Sequence, residues 1–152
     1  MELQTIRSRT GLRATGRVEA CGSLHVRIGV SRLQVDPLTE ANLAKGLVAS
    51  AQRHHNLGQW WCELFLVMPD HVHAILRLQS QAEMSESILN WKRITALTHA
   101  VCWEDGFFSH PLRHRNEADQ AWWHIRDNPV ARGLCATEDE WRWWWSALSP
   151  MS

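Results

Sequence analysis

The order of hydrophobic and polar positions predicts alternating strands and helices in the first half of the chain. Residues 24–31 alternate apolar and polar side chains, which is typical of a strand with one buried face. A helix is predicted over 39–55, because its apolar residues recur at helical spacing. Residues 60–68 form a run of aromatic and apolar side chains, typical of a buried strand. Residues 71–78 are predicted as a second strand, antiparallel to it across a tight turn.

The second half continues in the same way. Ser80 followed three residues later by Glu83 predicts the start of a helix that runs to about residue 101. Residues 103–115 are predicted as a loop, and residues 117–127 as a helix that Pro129 and Gly133 terminate. A last short helix is predicted around residues 138–145. The set of elements favours an α+β fold, an antiparallel sheet with helices packed on one face.

Composition narrows the class of protein. The chain has 152 residues, 45% of them hydrophobic and 21% charged, which suits a single globular domain. It lacks an apolar run of the roughly 18 residues that span a bilayer and a secretory h-region, so we expect a cytoplasmic protein without a membrane partner. Its four cysteines are widely separated and favour buried thiols over a metal site. Ten tryptophans accompany no tyrosine, which excludes a phenolic nucleophile.

Charge is unevenly distributed although the net charge is zero. Residues 1–35 hold six arginines and two glutamates, so this part is basic and the remainder is acidic. We divide the chain into a basic N-terminal arm (1–20), a folded domain (21–146) and a tail (147–152). A basic arm suits a polyanionic partner, because each arginine near a phosphate releases counterions. A solvated tail is the alternative.

His71 and His73 are the first candidates for chemistry. On a strand, residues two apart project to the same face, so the two imidazoles stand side by side. Such a pair can chelate one divalent metal if a third ligand arrives from elsewhere. Two histidines on a polar sheet face are as often ordinary surface residues.

His124 and Asn128 are the second pair. Residues four apart on a helix share a face, so their side chains lie one above the other. Asn128 alone is also explained as a helix-terminal residue before Pro129, and His124 alone as a partly buried polar side chain.

Four segments together resemble one family. Residues 68–76 (MPDHVHAIL), 91–93 (WKR), 107–113 (FFSHPLR) and 128–134 (NPVARGL) occur in the order and spacing of the REP-associated tyrosine transposases. These are HUH single-strand nucleases within the group of insertion-sequence transposases. The resemblance covers about residues 20–146.

The resemblance implies a ferredoxin-like or RRM-like sheet with the HUH pair on a central strand. It also implies single-stranded or hairpin DNA (REP-like elements) as the partner of a monomer or homodimer, and Mg²⁺ or Mn²⁺ without a nucleotide cofactor. Carried over to this chain, His71, His73 and Asn128 are the metal ligands. The family's nucleophile is a helical tyrosine four residues before the asparagine, and that position is His124 here. Asp70 stands where the family has asparagine.

Three interpretations follow from the absent tyrosine. The protein binds DNA without strand transfer, His124 itself attacks phosphorus, or His124 serves as a base or ligand while water hydrolyses the strand. Whether it is an enzyme therefore stays open. A module that keeps only the fold, for structure or protein interaction, is the alternative from another class.

The DNA contacts expected from the sequence are basic groups for phosphates and aromatic rings for unpaired bases. The candidates are Arg7, Arg9, Arg13, Lys92, Arg93, Phe107, Phe108, Arg113 and Arg115.

Overall fold

A computed structural model describes residues 22–77 and 80–148 of the chain. The predicted arm and most of the predicted tail lie outside these residues. The strands are β1 (Ser23–Gly29), β2 (Trp61–Met68), β3 (His71–Arg77), β4 (Phe108–Leu112) and β5 (Trp144–Trp145). The helices are α1 (Ala41–Asn56), α2 (Gln81–His99) and α3 (Arg115–Ala131), with a 3₁₀ turn at Glu138–Glu140.

The five strands form one sheet in the order β4-β1-β3-β2-β5, and every pair in it is antiparallel. The first four strands, with α1 and α2 as their connections, have the ferredoxin-like order. The predicted α+β class is therefore confirmed. The strand that carries His71 and His73 is β3, in the middle of the sheet, with β1 on one side and β2 on the other.

Helices cover both faces of the sheet, so the expectation that they pack on one face is wrong in that detail. On one face, Val72 packs in a core with Leu47 of α1 and Ile88 of α2. On the other, Ile75 packs in a second core with Ile125 of α3. The reason lies in the central strand β2, whose side chains are apolar on both faces, so that each face needs a cover. We call the second side the α3 face.

Two elements of the C-terminal half differ from the sequence prediction. The predicted loop contains β4, a short edge strand that pairs with β1. The predicted last helix is replaced by the 3₁₀ turn and β5, which pairs with β2. The three consecutive tryptophans explain the strand: Trp143 and Trp145 pack against the α1/α2 core while Trp144 packs against the α3 core, and such alternation has the period of a strand.

Helix α3 continues past the predicted end and includes Pro129. A proline removes only its own N–H, and the amides that follow still find acceptors: Arg132 donates to the carbonyl of Asn128 and Gly133 to that of Val130. Gly133, with φ of 76°, ends the helix as predicted. Asn128 consequently lies inside a regular helix. In the two described ranges no helix has the length and apolarity needed to cross a membrane.

Candidate functional site

The two histidines of β3 meet on the α3 face. Strand alternation turns Val72 into the α1/α2 core and leaves His71 and His73 on the opposite side. Their Nε2 atoms are 3.2 Å apart, and their exposed fractions are only 1% and 6%. Two nitrogens that bind one cation at about 2.1 Å and at a right angle are about 3.0 Å apart, close to the observed spacing.

Asn128 of α3 reaches the same point from the far end of the chain. Its Nδ2 lies 2.9 Å from Nε2 of His73, 55 positions away in sequence. The structure thus brings together the three side chains that the resemblance implies as ligands. An amide carries a donor nitrogen on one side and an oxygen on the other, so a half-turn of the Asn128 side chain exchanges a donor for an oxygen that can bind a cation.

The donor set fits one hard or borderline cation with three protein atoms, two imidazole nitrogens and one amide oxygen. The described residues contain no group of three or more His, Cys, Asp and Glu side chains that could hold a metal ion. Any cation would therefore depend on the amide, and would leave coordination positions open for phosphate oxygens or water.

Burial keeps the imidazoles in the form that binds metals. It lowers the pKa of His71 and lowers the pKa of His73 well below its usual range, and nearby positive charges act in the same direction. Asp70 opposes the shift at His71, because its Oδ1 accepts a 2.7 Å hydrogen bond from Nδ1 of that ring. A neutral ring whose Nδ1 carries the proton has a free lone pair on Nε2.

A third imidazole, which the sequence analysis did not select, stands behind the pair. Nε2 of His25, on β1, is 3.0 Å from Nδ1 of His73, the ring nitrogen that points away from Asn128. Burial lowers the pKa of His25 to about 4, with repulsion from His110 and His124 adding to the shift. The alternation of β1 already placed His25 on the polar face of that strand, so the signal was present but had no motif attached to it.

His124 lies on α3 one helical turn before Asn128 and is exposed. Helix α3 packs on the same face of the sheet as the histidine pair and meets that pair through Asn128. His124 also lines a shallow pocket with Trp123 and the carboxylates of Asp119 and Asp127. The structure therefore places His124 on the helix that meets the pair and leaves it exposed.

Two arginines that the sequence analysis did not select as contacts flank the histidines. Arg27 is exposed on β1, where it pairs in register with His73. Arg132 is exposed just after α3. After burial, positive charge from both arginines contributes to the lowered pKa of His71.

The side chains that the sequence predicts as DNA contacts lie in different parts of the structure. Phe108 lies beside the site, with its ring centroid 6.5 Å from that of His25, whereas Phe107 packs against the α1/α2 core. Arg113 and Arg115 are exposed near the start of α3, and Arg115 forms an ion pair with Asp119 at 3.1 Å. Arg7, Arg9 and Arg13 lie outside the described residues.

Lys92 and Arg93, on α2, lie on the other side of the sheet. Lys92 is 9% exposed, and its Nζ donates to the carbonyls of Glu104 at 2.8 Å and Gly106 at 2.7 Å. Those bonds hold the loop before β4 against α2, so the contact that the structure shows for Lys92 is a structural one. Arg93 is exposed and donates to Asn90.

A comparison with solved structures finds a protein that has the same fold as this chain. A solved structure of a REP-associated tyrosine transposase bound to a REP hairpin superimposes with a TM-score of 0.61 and 17% sequence identity, covering 81% of this chain and 75% of that one. No protein-family model matches the chain. No curated protein matches it either. At this identity the likeness establishes a shared fold alone.

Proposed function

We propose that this protein binds single-stranded or hairpin DNA on the α3 face and holds Mg²⁺ or Mn²⁺ between His71, His73 and Asn128. The observation that carries the proposal is the meeting of these three side chains at one point, from the central strand and from a helix. The solved transposase of the same fold was bound to a DNA hairpin, which supports nucleic acid as the partner.

The charges around the site suit a phosphate. Guanidinium groups form paired hydrogen bonds with phosphate oxygens, and Arg27 and Arg132 are exposed beside buried, neutral imidazoles. Phe108 offers an aromatic ring on the same face. The arginines of the arm would add phosphate contacts without reading sequence.

A divalent cation at the imidazole pair would polarise the oxygens of a bound phosphate. The protein's part is to hold the ligands rigidly: β3 sets the spacing of the imidazoles, α3 brings the amide, and Asp70 orients His71. The chain contains no tyrosine, so strand transfer through a tyrosine is impossible. We therefore propose DNA binding as the primary activity.

Cleavage is the second candidate, because His124 is exposed one helical turn before Asn128. A nitrogen of its imidazole would form a bond to phosphorus while the bond from phosphorus to the 3′ oxygen breaks. The leaving oxygen takes a proton from water, and the products are a 5′-phosphohistidine and a 3′-hydroxyl. If water attacks instead, His124 accepts its proton and no adduct forms.

Binding is tested by fluorescence anisotropy with a labelled single-stranded hairpin and a blunt duplex of equal length, at two salt concentrations, with and without Mn²⁺. We expect preference for the hairpin, affinity that falls with salt, and tighter binding with Mn²⁺. Arg27→Gln should weaken binding, whereas Arg93→Gln, a matched change on α2, should not.

The same mixtures are then resolved on denaturing gels. Intact DNA supports binding alone. Nicks with a covalent adduct that His124→Ala abolishes support the histidine nucleophile, and nicks without an adduct support water. Equal, salt-insensitive binding to hairpin and duplex would refute the DNA proposal and favour a module that keeps only the fold.

A further inference from the structure

We infer that His25 is a positioning residue, which holds His73 in the tautomer with its proton on Nδ1 and so keeps the Nε2 lone pair directed at the proposed cation site. The inference deepens the proposed function and rests on it for the role of the cation. It begins from the 3.0 Å approach of Nε2 of His25 to Nδ1 of His73, and His25 lies outside the four segments that carry the family resemblance.

With the nitrogen of the Asn128 amide facing His73, the hydrogen bonds imply which ring nitrogen carries each proton. Asn128 approaches Nε2 of His73 through its amide nitrogen, which can only donate, so Nε2 is the acceptor. A neutral imidazole has one N–H, and that of His73 is then on Nδ1. It donates to Nε2 of His25, which places the proton of His25 on its own Nδ1.

The same reasoning applies to the other histidine of the pair. Oδ1 of Asp70 accepts from Nδ1 of His71 at 2.7 Å, so the proton of that ring is also on Nδ1. The Nε2 atoms of His71 and His73 are 3.2 Å apart, and in this arrangement neither carries a proton to share. Two lone pairs that face each other at this distance repel, and a cation between them would relieve the repulsion.

His25 is placed to act through His73 and not as a ligand. It contacts Nδ1 of His73, whereas His71 and Asn128 contact Nε2, so the His73 ring stands between His25 and their meeting point. It is held there by the sheet: its strand pairs with β3 on one side and with β4 on the other. Partners of this kind, which hydrogen-bond a metal-binding imidazole from behind, typically change metal affinity by about 10- to 100-fold when they are removed.

The test uses three variants of the full-length protein. His25→Leu removes the acceptor nitrogen and replaces the ring with an apolar side chain of similar size. His25→Gln restores an acceptor, because the amide of glutamine reaches about as far as Nε2 of histidine. His110→Gln is the matched control, since His110 is exposed on β4 directly opposite His25 in the register. Thermal unfolding checks that each variant is folded.

The first readout needs no metal. ¹⁵N chemical shifts of labelled imidazoles distinguish the two tautomers, and His73 is assigned by the signals missing in His73→Gln. We expect the Nδ1–H tautomer at His73 in the unmodified protein, in His25→Gln and in His110→Gln. In His25→Leu we expect a mixture of tautomers, because a half-turn of the Asn128 amide lets its oxygen accept from a proton on Nε2 once Nδ1 has lost its acceptor. A proton on Nε2 of His73 in the unmodified protein overturns the inference.

The second readout is Mn²⁺ affinity, from electron paramagnetic resonance of free Mn²⁺. We expect His25→Leu to bind about 10- to 100-fold more weakly, with His25→Gln and His110→Gln near the unmodified protein. Two results would overturn the positioning role. One is an unchanged Mn²⁺ affinity in folded His25→Leu, and the other is an equal loss of Mn²⁺ affinity in folded His25→Leu and His25→Gln. Absence of Mn²⁺ binding in the unmodified protein, with the expected tautomers, would instead refute the proposed cation site and leave the tautomer assignment standing.

Discussion

Lys92 offers the sharpest test of how the structure divides the basic residues between stability and DNA binding. Its ammonium is almost fully enclosed and donates two short hydrogen bonds, to the carbonyls of Glu104 and Gly106. Lys92→Met keeps the length and apolar stem of the side chain and removes only the charged donor. The two carbonyls then lose their partner, and we expect a less stable protein with unchanged DNA affinity.

The size of the effect follows from the contacts. A hydrogen bond to a charged group contributes about 1.5–3 kcal/mol to stability. Two such bonds would contribute about 3–6 kcal/mol before the cost of burying the ammonium is subtracted. Burying the ammonium opposes this, because desolvation lowers the pKa of Lys92, and water can reach the exposed loop residue Glu104 after the substitution. We expect a net loss of about 2 kcal/mol, or a Tm lower by about 4–8 °C in a domain of this size.

The assay combines urea unfolding with the salt dependence of hairpin binding. A residue that contacts a phosphate contributes about 0.7–0.9 to the slope of log K against log salt. For Lys92→Met we expect the loss of stability and an unchanged slope. The opposite result would be a Lys92→Met variant that is as stable as the unmodified protein and has a salt slope smaller by about 0.7–0.9. That result would show that Lys92 contacts DNA and that its contact with the loop is unimportant for stability.

The remaining predictions use single substitutions and pH. Arg27→Gln should reduce the salt slope by about 0.7–0.9 and weaken binding about fivefold near 0.15 M salt, without loss of stability. Asn128→Ala should abolish the Mn²⁺ binding that electron paramagnetic resonance detects while the fold persists, because only two imidazoles remain as proposed ligands. Ser80→Ala should lower the free energy of unfolding by about 1 kcal/mol, since its hydroxyl caps α2 through the amide of Glu83. Burial lowers the pKa of His54 in the folded state, so the unfolded state binds more protons below pH 6.5 and stability should fall as pH decreases; His54→Gln should make the fall shallower.

The elements near the proposed site were predictable because their signals are local. Alternation fixed the face of His71 and His73, and helical spacing put His124 and Asn128 on one side of α3. The meeting of the two segments was not a local property; it came from the resemblance and is observed in the hydrogen bond between Asn128 and His73. Their roles as ligands stay predictions.

The errors share a physical cause, which is that tertiary contacts decided the outcome. Strand β4 has only five residues and includes Pro111, so its alternation is too short to recognise without its partner β1. The end of α3 is the exception and has a local cause: Pro129 was expected to end the helix, yet carbonyls of α3 itself accept from the amides after it and let the helix continue. His25 and Lys92 show the same limit for side chains: each role depends on a contact more than ten residues away, with His73 and Glu104 respectively.

The substitution His124→Tyr tests whether position 124, where the family of the resemblance has tyrosine, can carry a nucleophile. If the ligands, the arginines and α3 retain the geometry implied by the family resemblance, His124→Tyr should place a phenolic oxygen one helical turn from Asn128. A tyrosine hydroxyl reaches farther from its backbone than an imidazole nitrogen, and an error of about 1 Å in the position of a reacting atom can cost about a hundredfold in rate. Because position 124 is exposed, the substitution should not disturb packing.

We expect His124→Tyr to nick single-stranded DNA beside a hairpin in the presence of Mn²⁺ and to retain the 5′ product as a covalent adduct that resists hydroxylamine. His124→Phe is the matched control, because it has the same ring without the hydroxyl and should bind DNA without nicking it. If His124→Tyr binds both Mn²⁺ and the hairpin yet leaves the strand intact, the absence of a tyrosine is not the only barrier to cleavage. The surrounding site would then lack a further requirement for cleavage, and DNA binding alone would be the function that this face of the sheet supports.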